Sequence, residues 1–367
     1  MMGSEDICCN DRFKHPMGQE SVASDPRRHA LTAWLESIAG RFGLDPGTLR
    51  PASSDASFRR YFRLDTERAG TLIAMDAPPD REDSLRFVKI ALLFGAAGVT
   101  TPRILAEDLP QGFLLVSDLG QTTYLQALEA GADAQPLYLD ALDSLVRLQA
   151  ATSADVLPPY DRDRLLAELR LFPDWYVAHH LQAVLEPDER AALERVFERL
   201  IASALAQPAV FVHRDYHSRN LMQLPRGNPG VLDFQDAVLG PATYDLVSLL
   251  RDAYIEWPQE QQIEWAVRYW ERARAAGVPV PSDFGELWRA MEWIGLQRGL
   301  KVLGIFARLY HRDGKDRYLA DLPLVMRHTR RVVERYTAFD ELRRLLDRLE
   351  ALSPDPCSGR RPEKPSE

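Results

Sequence analysis

From Tyr124 to Leu352 apolar residues recur at helical spacing almost throughout, and the pattern fails in one region. Two short apolar runs stand there, AVFV at Ala209–Val212 and GVLDF at Gly230–Phe234, each opening into a polar loop. Short apolar runs bounded by turn-forming residues read as strands, and the flanking three- and four-residue periods read as helices. A plain helix bundle is therefore excluded, because the strands must pair to satisfy their backbone groups. Helices are expected over Tyr124–Leu128, Gln135–Ala151, Arg162–Leu185, Pro187–Ala206, Gln259–Ala276, Phe284–Tyr310 and Leu322–Leu352.

Upstream the pattern is mixed. A helix is expected to start near Asp25-Pro26, a cap followed by proline at the first helical position, with Leu31, Trp34, Leu35 and Ile38 on one face. Strands are expected at Phe58–Thr66, Thr71–Pro78 and Gly112–Gly120, with a helix at Asp83–Ala97. The fold class is thus α+β in two lobes: a small lobe with an antiparallel sheet over 27–117, and a larger, mainly helical lobe over 118–352. Residues 1–26 and 353–367 lack periodicity and are expected to be disordered tails.

With 367 residues, 46% apolar and 27% charged, the composition is that of an ordinary globular protein. The formal net charge of -9 speaks against a nucleic-acid partner. The three cysteines, Cys8, Cys9 and Cys357, all lie in the polar ends and cannot build a disulfide framework or zinc site. No apolar run is long enough to cross a bilayer, and the N-terminus lacks the apolar core of a secretory signal. A cytoplasmic protein with no membrane partner is expected.

The chemistry concentrates in FVHRDYHSRNLM, Phe211 to Met222, and in the following VLDFQDAVLG. Asp215 and Asp233 each follow an apolar run, and Asn220 lies between them. Phosphoryl transfer from a magnesium nucleotide needs such a set: one carboxylate to take the proton of the attacking hydroxyl, another carboxylate and a neutral oxygen to hold the metal. His213, Arg214, Asp215 and Asn220 satisfy the kinase spacing H-R-D-x-x-x-x-N, and Asp233-Phe234-Gln235 stands where kinases carry D-F-G. A metal-hydrolase site from His213, His217, Asp215 and Asp233 is the rival from another class, but no further ligand cluster with zinc-like spacing accompanies it. A hydrogen-bonded turn without catalysis, as in a nucleotide-binding pseudokinase, is the third possibility.

HRDYHSRNLM and LDFQDAVLGPATYDLVSLLRD resemble the aminoglycoside phosphotransferase superfamily of small-molecule kinases. The resemblance extends through SSDASFRRYFRL, TLIAMDAPPD, GFLLVSDLG, LFPDWYVAHHL and GLQRGLKVLGIFARLYHRDGK, covering about residues 28 to 350. Together these are similar to the anomeric N-acetylmuramate/N-acetylglucosamine kinases of cell-wall recycling. The resemblance implies a bilobal, protein-kinase-like fold, ATP and Mg2+ as cofactors, and an amino sugar as the small-molecule partner; the chain is expected to be a monomer. By the same resemblance Asp215 is the catalytic base, His213 supports it, and Asn220 and Asp233 hold magnesium. Asp245 braces the loop from below, its plainer role being a helix cap before LVSLL. Ser117, Asp118 and Leu119 form the hinge that binds adenine.

Two departures from the family pattern bear on the phosphates. SSDASFRRYFRL stands at the phosphate loop without a glycine; Ser53, Ser54, Ala56 and Ser57 are small enough for close backbone approach. Met75 stands where the phosphate-binding lysine is expected, and the next helix has Arg86 and Lys89 but no glutamate. Arg59 or Arg60 is therefore expected to supply the positive charge, with Arg63 behind them; alternation places Arg60 on the face opposite Arg59 and Arg63. For the sugar, Trp175 and Tyr176 are candidates to stack on a pyranose, with Glu168 and His217 as polar partners. Arg298, Lys301 and Arg308 share a face of the late helix; it reads either as a solvated basic face or as a site for a carboxylate.

Overall fold

The computed structural model describes residues 25–53, 58–68 and 70–352. The bulk of both expected tails and the phosphate-loop residues 54–57 lie outside the described residues. Helix α1 (Pro26–Phe42) starts where the cap and proline were expected, at the edge of the range given to the tail: the Asp25 carboxylate accepts the Arg28 N–H at 3.0 Å.

A five-stranded antiparallel sheet follows, made of β1 (Leu44–Ser53), β2 (Arg60–Thr66), β3 (Gly70–Asp76), β4 (Ile104–Asp108) and β5 (Phe113–Ser117), with helix α2 (Ser84–Ala96) between β3 and β4. The strand order is β1-β2-β3-β5-β4. β1 and β4 were not among the expected strands. β1 contains Pro46, Gly47 and Pro51, which hide its pattern; as an edge strand it tolerates them, with register breaks between Asp45 and Arg50 and between Pro51 and Ser53.

Side-chain alternation gives the sheet two buried faces. Phe62, Leu64, Ala74, Phe113 and Leu115 pack on Leu31 and Leu35 of α1. Met75, Leu114 and Val116 face the other way, into a core shared with Phe87, Ile90 and Phe94 of α2 and continuous with the larger lobe.

The larger lobe runs through α3 (Tyr124–Glu129), α4 (Ala134–Ala150), α5 (Arg162–Leu171), a π-helical segment (Phe172–His180) and α6 (Pro187–Leu205). Then come β6 (Ala209–Val212), β7 (Leu221–Met222), β8 (Gly230–Val231) and β9 (Val238–Pro241), paired antiparallel as β6 with β9 and β7 with β8. Helices α7 (Tyr244–Leu250), α8 (Gln259–Ala275), α9 (Phe284–Asp313), α10 (Leu322–Arg335) and α11 (Asp340–Leu352) complete it.

Two expected helices are divided. Arg162–Leu185 changes to π geometry at Phe172, where Pro173 has no N–H for an α-helical bond. α9 crosses closely there: a Cβ added to Gly304 would lie 2.3 Å from the Leu171 carbonyl carbon. Leu322–Leu352 breaks at Tyr336, whose extended backbone (φ -116°, ψ 112°) leads into a short 3-10 turn. Burial drives that break, since Phe339 in the turn packs on Trp293 of α9 at 4.8 Å between ring centres.

Candidate active site

The β7–β8 pair is nested within the β6–β9 pair, and the loops after β6 and β8 are joined by the His213 ring on the Leu232 carbonyl and by the Leu232 N–H on the Asn220 carbonyl. Arg214 (φ 79°) and Asp233 (φ 60°) both adopt left-handed backbone conformations that non-glycine residues rarely hold. The surroundings enforce them. Asp245, buried in the first turn of α7, accepts the His213 N–H at 2.6 Å and the Arg214 N–H at 3.0 Å. It braces the loop from within; the N-cap of α7 is Thr243. Burial pushes the Asp245 carboxyl up to about 6, against the pull of His213 and the two amides.

His213 is fully buried, and both ring nitrogens are engaged. Nε2 is 2.8 Å from the Leu232 carbonyl oxygen, and Nδ1 accepts the Asp215 N–H at 3.2 Å. Those partners place the proton on Nε2, and burial lowers the imidazole pKa, keeping it neutral. His213 therefore acts in the supporting role that the resemblance implies and not on substrate: it ties the two loops together and positions Asp215, with no nitrogen left for a ligand.

Asp215 itself is partly exposed. Burial works to raise its pKa, but Lys301, His217, Arg298 and Arg214 together hold the carboxyl well below the usual range. Asn220 donates from Nδ2 to the Asp215 carbonyl oxygen at 2.9 Å, which orients its amide and leaves Oδ1 as the outward acceptor. Asp233 follows β8, and Gln235 donates to its Oδ1 at 2.7 Å. Phe234 between them is fully buried, 4.8 Å from Phe87 and 5.9 Å from Phe94 of α2, anchoring the loop to the small lobe.

Asn220 Oδ1 and the Asp233 carboxylate are hard oxygen donors of the kind that suit magnesium shared with phosphate. Among the described residues no group of three or more His, Cys, Asp or Glu side chains converges as metal ligands, so the hydrolase alternative has no site there.

Glu168 joins this loop from α5, but not as expected. Its Oε1 is ion-paired with Arg214 and lies 3.1 Å from Lys301 Nζ. Oε2 takes the Tyr160 hydroxyl and the Gln297 amide, the latter at 3.3 Å. Burial opposes charge on both partners, yet Lys301 and Arg214 lower the Glu168 pKa, and Glu168 raises that of Lys301. Glu168 is thus corrected from a sugar ligand to the counter-ion of Arg214 and Lys301, because both its oxygens are occupied.

Tyr176 is likewise corrected: it is a core residue, 4% exposed and stacked on Phe172 at 5.5 Å. Trp175 is half-buried and stacks on His179 at 4.7 Å within the π segment. His217 does stand by Asp215, with Nδ1 buried and unpartnered. The aromatic ring beside it is Tyr254, which meets His217 edge-on at 5.5 Å and carries the Arg219 guanidinium 3.5 Å over its face. Asp252 fixes this corner, accepting the Ser218 N–H at 2.9 Å and the Tyr254 N–H at 3.1 Å. Tyr254 and Asp252 were missed. The signal was available, since Asp252 closes the LVSLLRD stretch, but nothing local connects it to Ser218.

At the hinge, Arg63 donates to Asp118 at 2.5 and 3.1 Å and to the Gly120 carbonyl at 2.8 Å. Thr71 and the Gly120 N–H also bond Asp118, so its side chain braces the hinge and only backbone groups remain for a ligand. Ser117 exchanges hydrogen bonds with the Arg103 backbone, and the Leu119 side chain lies over Gly230. Arg60 is corrected: it points to the α1 face, pairing with Asp25 and with Asp76, which is also held by Arg27. Arg59 ion-pairs with Glu82 at 2.7 Å, just before α2. From α2, Arg86 comes within 3.9 Å of Asp236. Met75 is completely buried against α2, filling the lysine position with apolar volume.

A sheet-and-helix lobe set over a helical lobe, with an oriented aspartate, an asparagine and a second aspartate on paired loops, defines a small-molecule phosphotransferase of protein-kinase-like fold. The chain belongs to the phosphotransferase enzyme family, which matches residues 48–294. It is 50% identical over 332 residues to an N-acetylmuramate/N-acetylglucosamine kinase of Pseudomonas aeruginosa, covering 89% of this chain and 97% of that one. A kinase of the same description from Neisseria meningitidis is 47% identical, over 87% of this chain and 95% of its own. The fold is also that of an amicoumacin kinase solved with AMP-PNP and Ca2+ (TM-score 0.56, 16% identity, 84% of this chain and 94% of that one). No helix among the described residues is long and apolar enough to cross a membrane.

Proposed function

We propose that the protein transfers the γ-phosphate of ATP to the anomeric hydroxyl of N-acetylmuramic acid and N-acetylglucosamine, giving sugar 1-phosphates for peptidoglycan recycling. The observation that carries this is the oriented set of Asp215, Asn220 and Asp233 in a chain half identical to a kinase of those two sugars. ATP lies between the small lobe (27–117) and the large lobe (118–352), its adenine against the backbone of Ser117–Leu119.

Asp215 orients the anomeric hydroxyl and accepts its proton as the oxygen attacks phosphorus. An anomeric hydroxyl is more acidic than a ring alcohol, and a loose phosphoryl transition state asks more for alignment than for a strong base. The depressed Asp215 pKa keeps the carboxylate in its accepting form throughout the neutral range. Mg2+, when bound, neutralises phosphate charge; Asn220 and Asp233 are the residues that would hold it. Arg59, with Arg86 of α2, stands in for the missing lysine. The enzyme works in the cytoplasm as a monomer.

The test is incubation with ATP, magnesium and a panel of amino sugars, with the phosphate located by phosphorus and carbon NMR. Phosphate on the anomeric carbon is expected. Phosphate on the six-position, or no turnover of any amino sugar, would overturn the assignment.

A further inference from the structure

α9 carries two buried cations one turn apart, Arg298 and Lys301, on the face turned toward the catalytic loop. Each of the neighbouring cations has an ion-pair partner. Lys301 and Arg214 share Glu168, and Arg251 lies 2.7 Å from Glu292. Arg298 is 7% exposed, yet among the described residues no hydrogen bond or ion pair ends on its guanidinium. It lines a cavity of about 20 Å³ with Arg251 and His328, which bring no negative charge. Its charge reaches both Asp215 and His217, although no ion pair within 4.0 Å joins it to either. A guanidinium that is largely covered, holds no ion pair or hydrogen bond among the described residues and acts on Asp215 is placed to receive an anionic group of a ligand bound beside that carboxylate.

We propose that Arg298 binds the carboxylate of the lactyl ether of N-acetylmuramic acid and so sets the preference for the acidic sugar over neutral N-acetylglucosamine. This rests on the amino-sugar kinase function above. The lactyl group is on carbon 3 and the reacting hydroxyl on carbon 1 of one ring. The carboxylate therefore sits a ring's width from the attacking oxygen, as Arg298 stands near Asp215 without touching it. Lys301 shares the face but not the role, because Glu168 already neutralises it. The other anion that reaches this loop is the ATP phosphate, and the test reads it separately.

The experiment compares kcat and KM for both sugars and for ATP in the wild type, Arg298→Gln and Arg298→Lys, and adds the methyl ester of N-acetylmuramic acid. The ratio of kcat/KM for N-acetylmuramic acid over N-acetylglucosamine should fall ~10–100-fold in R298Q, mainly through KM, as expected for loss of a charge-assisted contact. R298K should recover part of it. Esterification should cost the wild type a similar factor and cost R298Q almost nothing further. An unchanged sugar ratio, or a defect confined to KM for ATP, overturns the proposal. If R298Q does not fold, an ester used as well as the acid by the wild type overturns it alone. A wild type that phosphorylates neither sugar rejects the kinase function itself, whereas turnover of both with an unchanged ratio rejects only Arg298.

Discussion

Lys301 Nζ lies 3.1 Å from Glu168 Oε1, so α9 and α5 meet through a buried ion pair whose carboxylate also holds Arg214, the residue before Asp215. Stability and the placement of the Asp215 carboxylate therefore depend on the same contact.

Glu168→Gln leaves two cations without their counter-ion. Removing one member of a buried ion pair typically costs ~3–5 kcal/mol. Urea unfolding of E168Q should show a loss of that order, accompanied by reduced kcat because Arg214 no longer anchors the loop. A loss below about 1 kcal/mol would mean that solvent compensates the cluster.

Asp215→Asn removes the proton acceptor but keeps the shape of the loop, since the His213 contact is made through the Asp215 backbone. kcat should fall by about 10²–10⁴, the range that a positioned general base supplies. Nucleotide affinity, measured by calorimetry, should change little. Turnover within tenfold of the wild type would rule Asp215 out as the base.

Arg59→Ala should raise KM for ATP, while Arg60→Ala should leave it unchanged. Arg60 points away from the cleft, toward Asp25 and Asp76, and Arg27 still satisfies Asp76 when it is removed. For this partly exposed pair a stability cost of about 1 kcal/mol or less is expected. A selective effect of Arg60→Ala on KM for ATP would reverse the assignment.

His328 supplies a pH test. Burial, with Arg251 and Arg331 beside it, pushes its imidazole down to about 3. An unfolded histidine titrates near 6.5, so below that pH the unfolded chain takes up a proton that the folded one refuses, and stability falls as pH drops. Between pH 7 and pH 5 the wild type should lose about 1–2 kcal/mol relative to His328→Leu. Parallel stability curves for the two proteins would show that His328 is protonated in the fold.

Gly304→Ala places a methyl group against the Leu171 carbonyl at the start of the π segment. Ordinary overpacking costs ~1–3 kcal/mol, and contact with backbone allows little relief. A melting temperature within a degree or two of the wild type would show that the α5–α9 crossing adjusts freely.

Much of the site was legible locally. Asp215, Asn220 and Asp233 lie within one strand-loop-strand stretch, where spacing alone constrains their roles. The roles of Glu168, Tyr176 and Arg60 were misjudged because a carboxylate, a ring or a guanidinium looks the same in sequence whether it meets substrate or another side chain. Tyr254 and Asp252 escaped notice because their partners, His217 and Ser218, are distant along the chain. β1 was hidden by prolines that only an edge position permits.

By itself the sequence determined the order of helices and strands and the candidates for the reacting groups, because hydrophobic period and motif spacing are local properties. Tertiary structure alone decided which charges are already neutralised. Lys301 and Arg298 stand one turn apart on one helix, and nothing in their spacing tells that Glu168 pairs with the first while, among the described residues, no ion pair holds the second. Charge balance in a folded interior depends on which helices cross, and the crossing of α5 and α9 sets it here.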